Sequence, residues 1–519
     1  MGLYRLGLCL LLCSQCLFAE TYWSYVPGVG SVQLTELSTE QRSLLATHLQ
    51  LNAEQTRVWL NQLPDQLNAV SCSTLDVQNQ AIPAYIDASY KVVSYAGVLK
   101  FYSEDNTKST VWWLPWTALP ALSQLKAQVT DLSLHMHQPL LITEQQLGSP
   151  GQLMIVAGSG IGNPNYFALQ LNSLHSPELL WTLSSIDSGA EDLIGTMAQP
   201  LLMQEQRELA GLPALSLLLP NIAISNPTTL IYKVDLLTGN VQAKLGAEQT
   251  LPELSGVMAL YDQNRDSVSE SLLFSTKSGQ IWQVQLEQNQ FYGLQALADF
   301  SALKFNDIQF IRPLFAAVPV GGYGTDFHSR RSQWLVMLGA LRQQHSVFVV
   351  LKINSTARVL SSDLVDRTLP DAPELAVLTS QDWQQIQQKG GWFSQLSGRL
   401  THLPVVAGGV VYFSLLQQSL EQVCSIEQSS SALVALHLHH ASAVYRRPIL
   451  PLAQAAGPLK IKANAQGGFS LVEQHSQQVL VESLLEISPE CAHCSKTIEQ
   501  AGFPRWQLMG TYHNEEGAY

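Results

Sequence analysis

From about Tyr90 onward the chain is written in short apolar runs separated by Gly, Asn, Asp or Ser. Leu153-Met-Ile-Val-Ala157, Thr229-Leu-Ile-Tyr-Lys-Val-Asp235, Leu272-Leu-Phe-Ser275, Trp334-Leu-Val-Met-Leu338 and Val410-Val-Tyr-Phe413 are examples. Runs of that length, bounded by turn formers, predict β-strands, and their recurrence predicts an all-β architecture. A degenerate repeat lies within the pattern. Gly97-Val-Leu-Lys-Phe101, Asn165-Tyr-Phe-Ala-Leu-Gln-Leu171, Leu230-Ile-Tyr-Lys-Val-Asp235, Ser278-Gly-Gln-Ile-Trp-Gln-Val-Gln-Leu286 and Ser431-Ala-Leu-Val-Ala-Leu-His-Leu438 each pair a small or polar turn with an alternating strand. A segment of about 60 residues folded as one small antiparallel sheet cannot bury both of its faces. Arranging such sheets around an axis solves that and hides their edges, so the expectation is a β-propeller of about six or seven blades over 90–519. Long irregular loops are expected at Gly321–Arg331 and Pro370–Gly391.

The stretch before the repeat reads differently. Leu44, Leu45, Leu49, Val58, Leu60 and Leu63 are spaced for one or two helices, with Ser38-Thr39-Glu40-Gln41 as capping residues ahead of them. A helical and extended segment is therefore expected over 20–89. At the N-terminus, Arg5 precedes an apolar core from Leu6 to Phe18, and Leu17-Phe-Ala19 offers a cleavage site. Residues 1–19 are thus expected to be an export signal. That core is too short to cross a hydrocarbon layer of about 30 Å as a helix, and no later run is longer, so no transmembrane segment is expected. Cys9, Cys13 and Cys16 in the leader lack the small preceding residue of a lipid-anchoring signal.

Apolar residues make up 46% of the chain and charged residues 13%, enough for a large core and unlike a disordered chain. The formal charge is −13, and cleavage after Ala19 leaves 27 basic against 41 acidic residues. This acidity argues against nucleic acid or an anionic membrane surface as a partner. Four cysteines follow the leader: Cys72, Cys424, Cys491 and Cys494. In an exported chain an even number favours disulfides, with three pairings open. Cys491-Ala-His-Cys494 also has the spacing of a zinc half-site or a redox pair. Zinc would need two more close ligands, and thioredoxin-like chemistry a βαβ context that is missing.

One loop carries chemistry. In Asp262-Gln-Asn264-Arg-Asp266-Ser-Val268-Ser-Glu270, oxygen donors recur at positions 1, 3, 5 and 9, just before a strand and a Gly279-Gln-Ile-Trp282 turn. Calcium takes six to eight oxygens at about 2.3–2.6 Å. Asp262, Asn264 and Asp266 are expected to supply side chains, Val268 its carbonyl and Glu270 a closing carboxylate, with Arg265 pointing outward. An EF-hand would close at position 12, which is Leu273, so this is a shortened loop between strands. Ser267 stands at the sharp turn, where a positive φ would cost about 1 kcal/mol relative to Gly. The alternative is a solvated turn rich in Asx residues that binds nothing.

Other patterns are weaker. Ala157-Gly-Ser-Gly-Ile-Gly162 looks like a phosphate loop, yet a strand follows where a helix is needed. His135-Met-His137 and His437-Leu-His439-His440 lack a third metal ligand and read as packing or surface residues. Trp112, Trp113, Trp116, Trp181, Trp282 and Trp392 fit a core between sheets better than a sugar groove. No nucleophile elbow or Ser-His-Asp spacing is present.

The order of motifs resembles the C-terminal domain of the PilC/PilY family, the type IV pilus biogenesis and tip-adhesin proteins of Gram-negative bacteria. Val92-Val-Ser-Tyr-Ala-Gly97-Val-Leu-Lys-Phe, Leu114-Pro-Trp-Thr-Ala-Leu-Pro120, Ala157-Gly-Ser-Gly160, Leu180-Trp181 and Gly195-Thr-Met-Ala-Gln-Pro200 follow the family's sequence of features. Tyr232-Lys-Val-Asp235, Leu254-Ser-Gly256, the acidic loop, Arg312-Pro313, Gly391-Trp392-Phe and Val411-Tyr-Phe-Ser414 with Cys424 continue it. The family's loop carries Gly and Asp where this chain has Ser267 and Glu270. Its long members' von Willebrand A-like domain is not expected in the 70 residues of 20–89. The resemblance implies a propeller of the quinoprotein-alcohol-dehydrogenase-like kind, calcium in the acidic loop and no enzymatic activity. It further implies support of pilus assembly or control of retraction, minor pilins and the pilus machinery as partners, a host or abiotic surface as an adhesion target, and residence in the periplasm, at the pilus tip or on the cell surface. The alternative class is an exported quinoprotein-like dehydrogenase, which also uses Gly-x-x-Trp blades and calcium but needs an axial cofactor pocket.

Overall fold

The computed structural model describes residues 21–484 outside a series of segments, the longest being 74–83, 120–138, 320–329, 369–378 and 418–429. The expected export signal, Cys424, Cys491, Cys494 and Ser267 lie outside the described residues; Cys72 falls in the last turn of a helix. The protein is mostly β, in antiparallel sheets with few helices, as the short apolar runs predict. The chain divides into two compact units, residues 1–74 with 79–184, and 75–78 with 185–519. Among the described residues no helix is long and apolar enough to cross a membrane.

In the first unit, α1 (Thr39–Leu49) and α2 (Ala53–Ser73) form where the leucine spacing places them. Ser38 and Gln41 make a reciprocal capping box, satisfying two backbone donors that the helix start leaves without partners. The segment expected to be helical and extended also supplies strands Thr21–Val26 and Gly30–Gln33. Thr21–Val26 runs parallel to Val111–Trp113 and joins a sheet completed by Val98–Ser103, Tyr90–Tyr95 and Ala84–Tyr85. Successive strand residues face opposite sides. Trp112 accordingly packs with Leu45, Leu49 and Trp59 of the helices, while Trp113 packs with Ile155, Phe167 and Leu169 of the second sheet, a four-stranded meander. The first sheet is thus covered on both faces.

Among the described residues the second unit holds five sheets in chain order. The third sheet runs Leu201–Leu209, Leu212–Asn221, Leu230–Asp235 and Val241–Leu245. The fourth runs Leu254–Tyr261, Ser271–Thr276, Gln280–Glu287 and Gln290–Asp299, and the fifth is built on Asp307–Pro319, Arg330–Arg342, His345–Lys352 and Gly391–Ser397. The sixth centres on Val410–Gln417 and Ser430–His437, and the seventh is Leu459–Ala463, Phe469–Glu473 and Val479–Val481. The same alternation joins them. Leu272 and Phe274 pack toward the third sheet while Leu273 packs toward the fifth. Val336 and Leu338 face the fourth sheet, whereas Leu335 and Met337 face the sixth. Tyr412 and Leu433 then turn to the seventh, and Phe413 and Val434 back to the fifth. The fourth, fifth and sixth sheets each bury both faces against their chain neighbours, the problem the repeat poses in the sequence.

One feature departs from the reading of loops. The stretch Pro370–Gly391 contains a helix, α4 (Ser380–Gln388), after the short α3 (Glu144–Leu147). Thr379 and Asp382 form its capping box, and Trp383 and Ile386, three residues apart, are its buried positions. Gly391 follows with φ 151°, and a Cβ there would lie 2.0 Å from the Val350 carbonyl oxygen. Only Gly lets those strands meet at that point.

Candidate metal centre

Tyr261 pairs with Ser271, so Asp262 to Glu270 is the connection closing the first hairpin of the fourth sheet. Its alternating polar side chains fold it locally. Asp262 Oδ1 accepts from the Arg265 amide at 2.5 Å and the Asp266 amide at 3.2 Å. Asn264 Oδ1 accepts from the Asp266 amide at 2.8 Å, and Asp266 Oδ1 accepts from the Val268 amide at 2.8 Å. The bonds of Asn264 and Asp266 are Asx turns in succession, and Asp262 reaches the amides three and four residues on, so alternate side chains bind the loop's own backbone. The Gln263 amide donates to Glu270 Oε2 at 2.7 Å, tying the start of the loop to its end.

The result is a cluster of three carboxylates. Asp262, Asp266 and Glu270 each offer an oxygen, and the three oxygens lie within 4.8 Å of one another. Two oxygens on opposite sides of a calcium ion stand about 4.6–5.2 Å apart, so the spacing suits a cation at the centre. A second observation points the same way: Glu270 Oε1 is buried and has no hydrogen-bond partner. A buried carboxylate oxygen without a donor is costly, and a hard cation satisfies it. The donor set therefore fits calcium through Asp262, Asp266 and Glu270. Asn264 is exposed and spends its amide on Asp266, donating from Nδ2 to Oδ2 at 3.1 Å, while Val268 is half-buried. When bound, the ion would offset two of the three carboxylate charges and fix the hairpin end.

Among the described loop residues the positive φ falls on Arg265, at 65°, a conformation costing a side-chain-bearing residue about 1–2 kcal/mol. Arg265 does not simply point outward. Its guanidinium lies 4.3 Å from the Phe315 ring centroid, in cation–π contact with the fifth sheet.

Residues that the sequence pattern does not mark hold the loop from outside. Trp334 Nε1 donates to the Gln263 carbonyl at 3.2 Å, and its ring meets Tyr261 at 4.7 Å and Phe315 at 5.2 Å. Burial, and then the Glu270 charge, push the Tyr261 hydroxyl above its ordinary pKa. Inside the fourth sheet Ser271 Oγ receives Gln263 Nε2 at 3.3 Å and Gln283 Nε2 at 2.9 Å, and donates to Gln285 Oε1 at 3.0 Å. No local spacing flags Trp334; only the packing of sheets brings it to the loop.

The remaining candidates resolve as packing or lie elsewhere. Trp112, Trp113 and Trp392 are fully buried, Trp181 is buried, and Trp116 and Trp282 are half-buried, so none forms an open aromatic groove. His135, His137 and most of the Ala157–Gly162 stretch lie outside the described residues.

No protein-family model matches the chain, and no curated protein matches it. Among solved structures it is similar to the C-terminal domain of PilY1 from Pseudomonas aeruginosa, with a TM-score of 0.45 at 12% identity over 76% of this chain and 92% of that one. It is also similar to the exo-β-1,3-galactanase 1,3Gal43A from Clostridium thermocellum, with a TM-score of 0.29 at 11% identity over 76% and 87% of the two chains. Extracellular domains 1–2 of Drosophila Semaphorin 1a give a TM-score of 0.31 at 11% identity over 79% and 87%. Likenesses at that level say nothing about what this chain does.

Proposed function

We propose that this chain is an exported, non-enzymatic β-propeller protein that binds calcium in the Asp262–Glu270 loop and supports type IV pilus assembly or control of retraction. The observation that carries the calcium reading is the carboxylate cluster of Asp262, Asp266 and Glu270 with its unpartnered Glu270 oxygen. Asn264 and Val268 complete the proposed ligand set. The pilus reading rests on the order of motifs along the sequence, from Gly97 through the acidic loop to Val411-Tyr-Phe-Ser414. The five face-to-face sheets of the second unit are read as consecutive blades. Minor pilins and the pilus machinery are the proposed partners, and the periplasm, pilus tip or cell surface the site of action.

Calcium would order the hairpin end and so bias one conformation of the surface it belongs to. Surface piliation and twitching motility in a deletion strain test the biological reading. Loss of either, restored by the wild-type gene, supports it; unchanged piliation and motility would overturn it. Dye-linked substrate oxidation after adding pyrroloquinoline quinone would instead favour a dehydrogenase.

A further inference from the structure

Three histidines crowd the turn that follows strand Ser430–His437. The His437 and His440 rings are stacked, with centroids 3.7 Å apart and planes 12° apart, and the His439 ring lies 5.6 Å from that of His437. His440 Nδ1 is 2.9 Å from Ser442 Oγ. Helix α4 rests on this stack through Trp383, whose buried ring meets the His440 ring at 5.9 Å and 80°. The other end of α4 is held differently. Lys352 Nζ donates to the carbonyls of Ile386 at 2.6 Å, Gln387 at 3.2 Å and Lys389 at 3.2 Å, capping the helix C-terminus. Beneath the helix lies a recess lined by Leu335, Val350, Lys352, Ile386, Trp392 and Leu438.

The charges around the stack are one-sided. Among the described residues they are His439 on the turn, Arg367 after strand Leu364–Asp366, Asp382 on α4 and Lys352 on the fifth sheet. Arg367 Nε donates to the His440 carbonyl at 3.1 Å, and its Nη1 is 3.5 Å from Asp382, so that carboxylate is already engaged. A proton on either stacked ring therefore adds like charge beside Arg367 in a space shielded from water. Burial pushes His437 down to about 4, and burial with the neighbouring His437, His439 and Arg367 holds His440 well below its ordinary range.

We propose that the His437–His440 stack and α4 form an acid-sensitive latch, in which neutral rings seat α4 through Trp383 and proton uptake favours an open state that bares the recess under the helix. Lys352 stays charged in acid, so its grip on the far end persists and the opening is local to the Trp383 side. A histidine that gains an ordinary pKa of about 6.5 on opening raises the opening constant about 25-fold between pH 7 and pH 5, and two such rings raise it several hundredfold.

Hydrogen exchange on the full chain, corrected for the intrinsic pH dependence of amide exchange, tests this. The Trp383–Gln388 amides should exchange faster than those of Ser271–Thr276 at both pH values, and their protection should fall at least about 25-fold from pH 7 to pH 5. In the His437→Gln/His440→Gln protein that fall should vanish; if the pair does not fold, His440→Gln alone should roughly halve it on a logarithmic scale. Three results would each overturn the latch. These are a fall under threefold, α4 exchanging only as fast as Ser271–Thr276, or the same fall in the variant. Greater protection at pH 5, as a cation held against the Trp383 ring would give, overturns it too.

Discussion

Replacing Asp266 by Asn separates a cation site from a turn that is complete in itself. Without metal, three carboxylate oxygens stand within 4.8 Å of one another. Two unit charges at that distance repel by about 0.9 kcal/mol in bulk water and about 3.5 kcal/mol at an effective dielectric of 20. Asp266 is exposed, which places its interactions near the lower figure. Removing its charge relieves two pairs, about 2 kcal/mol in all. The Asn carbonyl can still accept from the Val268 amide, but the contact with Asn264 Nδ2 is lost, at about 0.5–1 kcal/mol. Asp266→Asn should therefore make the calcium-free protein about 1 kcal/mol more stable. It should also remove most of the stabilisation that calcium confers on the wild type. Urea denaturation in EGTA and in calcium measures both. A variant less stable than wild type in EGTA, or one stabilised by calcium as much as wild type, would refute the reasoning.

Further outcomes follow from the core and from the buried histidines. His437 is held at about 4, below its unfolded value, so its contribution is fully present above about pH 6.5 and is lost as the pH falls toward 4. That amounts to about 3 kcal/mol at about 1.4 kcal/mol per pH unit, read as a denaturation midpoint that drops through this window and flattens in His437→Gln. Phe348 is fully buried between Phe310, Trp392 and Phe413, and Phe348→Ala should cost about 3–5 kcal/mol in urea denaturation.

How much of this was legible beforehand differs by kind of interaction. The strands were readable because period-2 alternation and turn residues are local signals, and Leu272-Leu-Phe-Ser275 falls inside a strand one residue longer at each end. The helix pair was readable for the same reason, through Ser38, Gln41 and the leucine spacing. Helix α4 was not: it is short and lies among Gln residues, and only Trp383 and Ile386 mark its buried side. In the acidic loop the alternation of Asp262, Asn264 and Asp266 anticipates side chains that bond the loop's own backbone. Among the described loop residues the positive φ falls on Arg265, where successive side-chain oxygens bend the backbone, and no local signal marks it. Trp334 and Phe315 were beyond reach, since their contact with the loop is made by another sheet. The histidines of His437–His440 read as packing or surface residues, and their stacking against Trp383 depends on that same tertiary arrangement.

Calcium in the Asp262–Glu270 loop is the part of the proposed function closest to a direct measurement. Isothermal titration of the metal-stripped full chain with calcium chloride tests it most directly, with the Asp262→Ala/Asp266→Ala protein alongside. One saturable site is expected in the wild type, with a rise in melting temperature on occupancy, and neither in the variant. A wild type that takes up no calcium, or a variant that binds it as the wild type does, would contradict it.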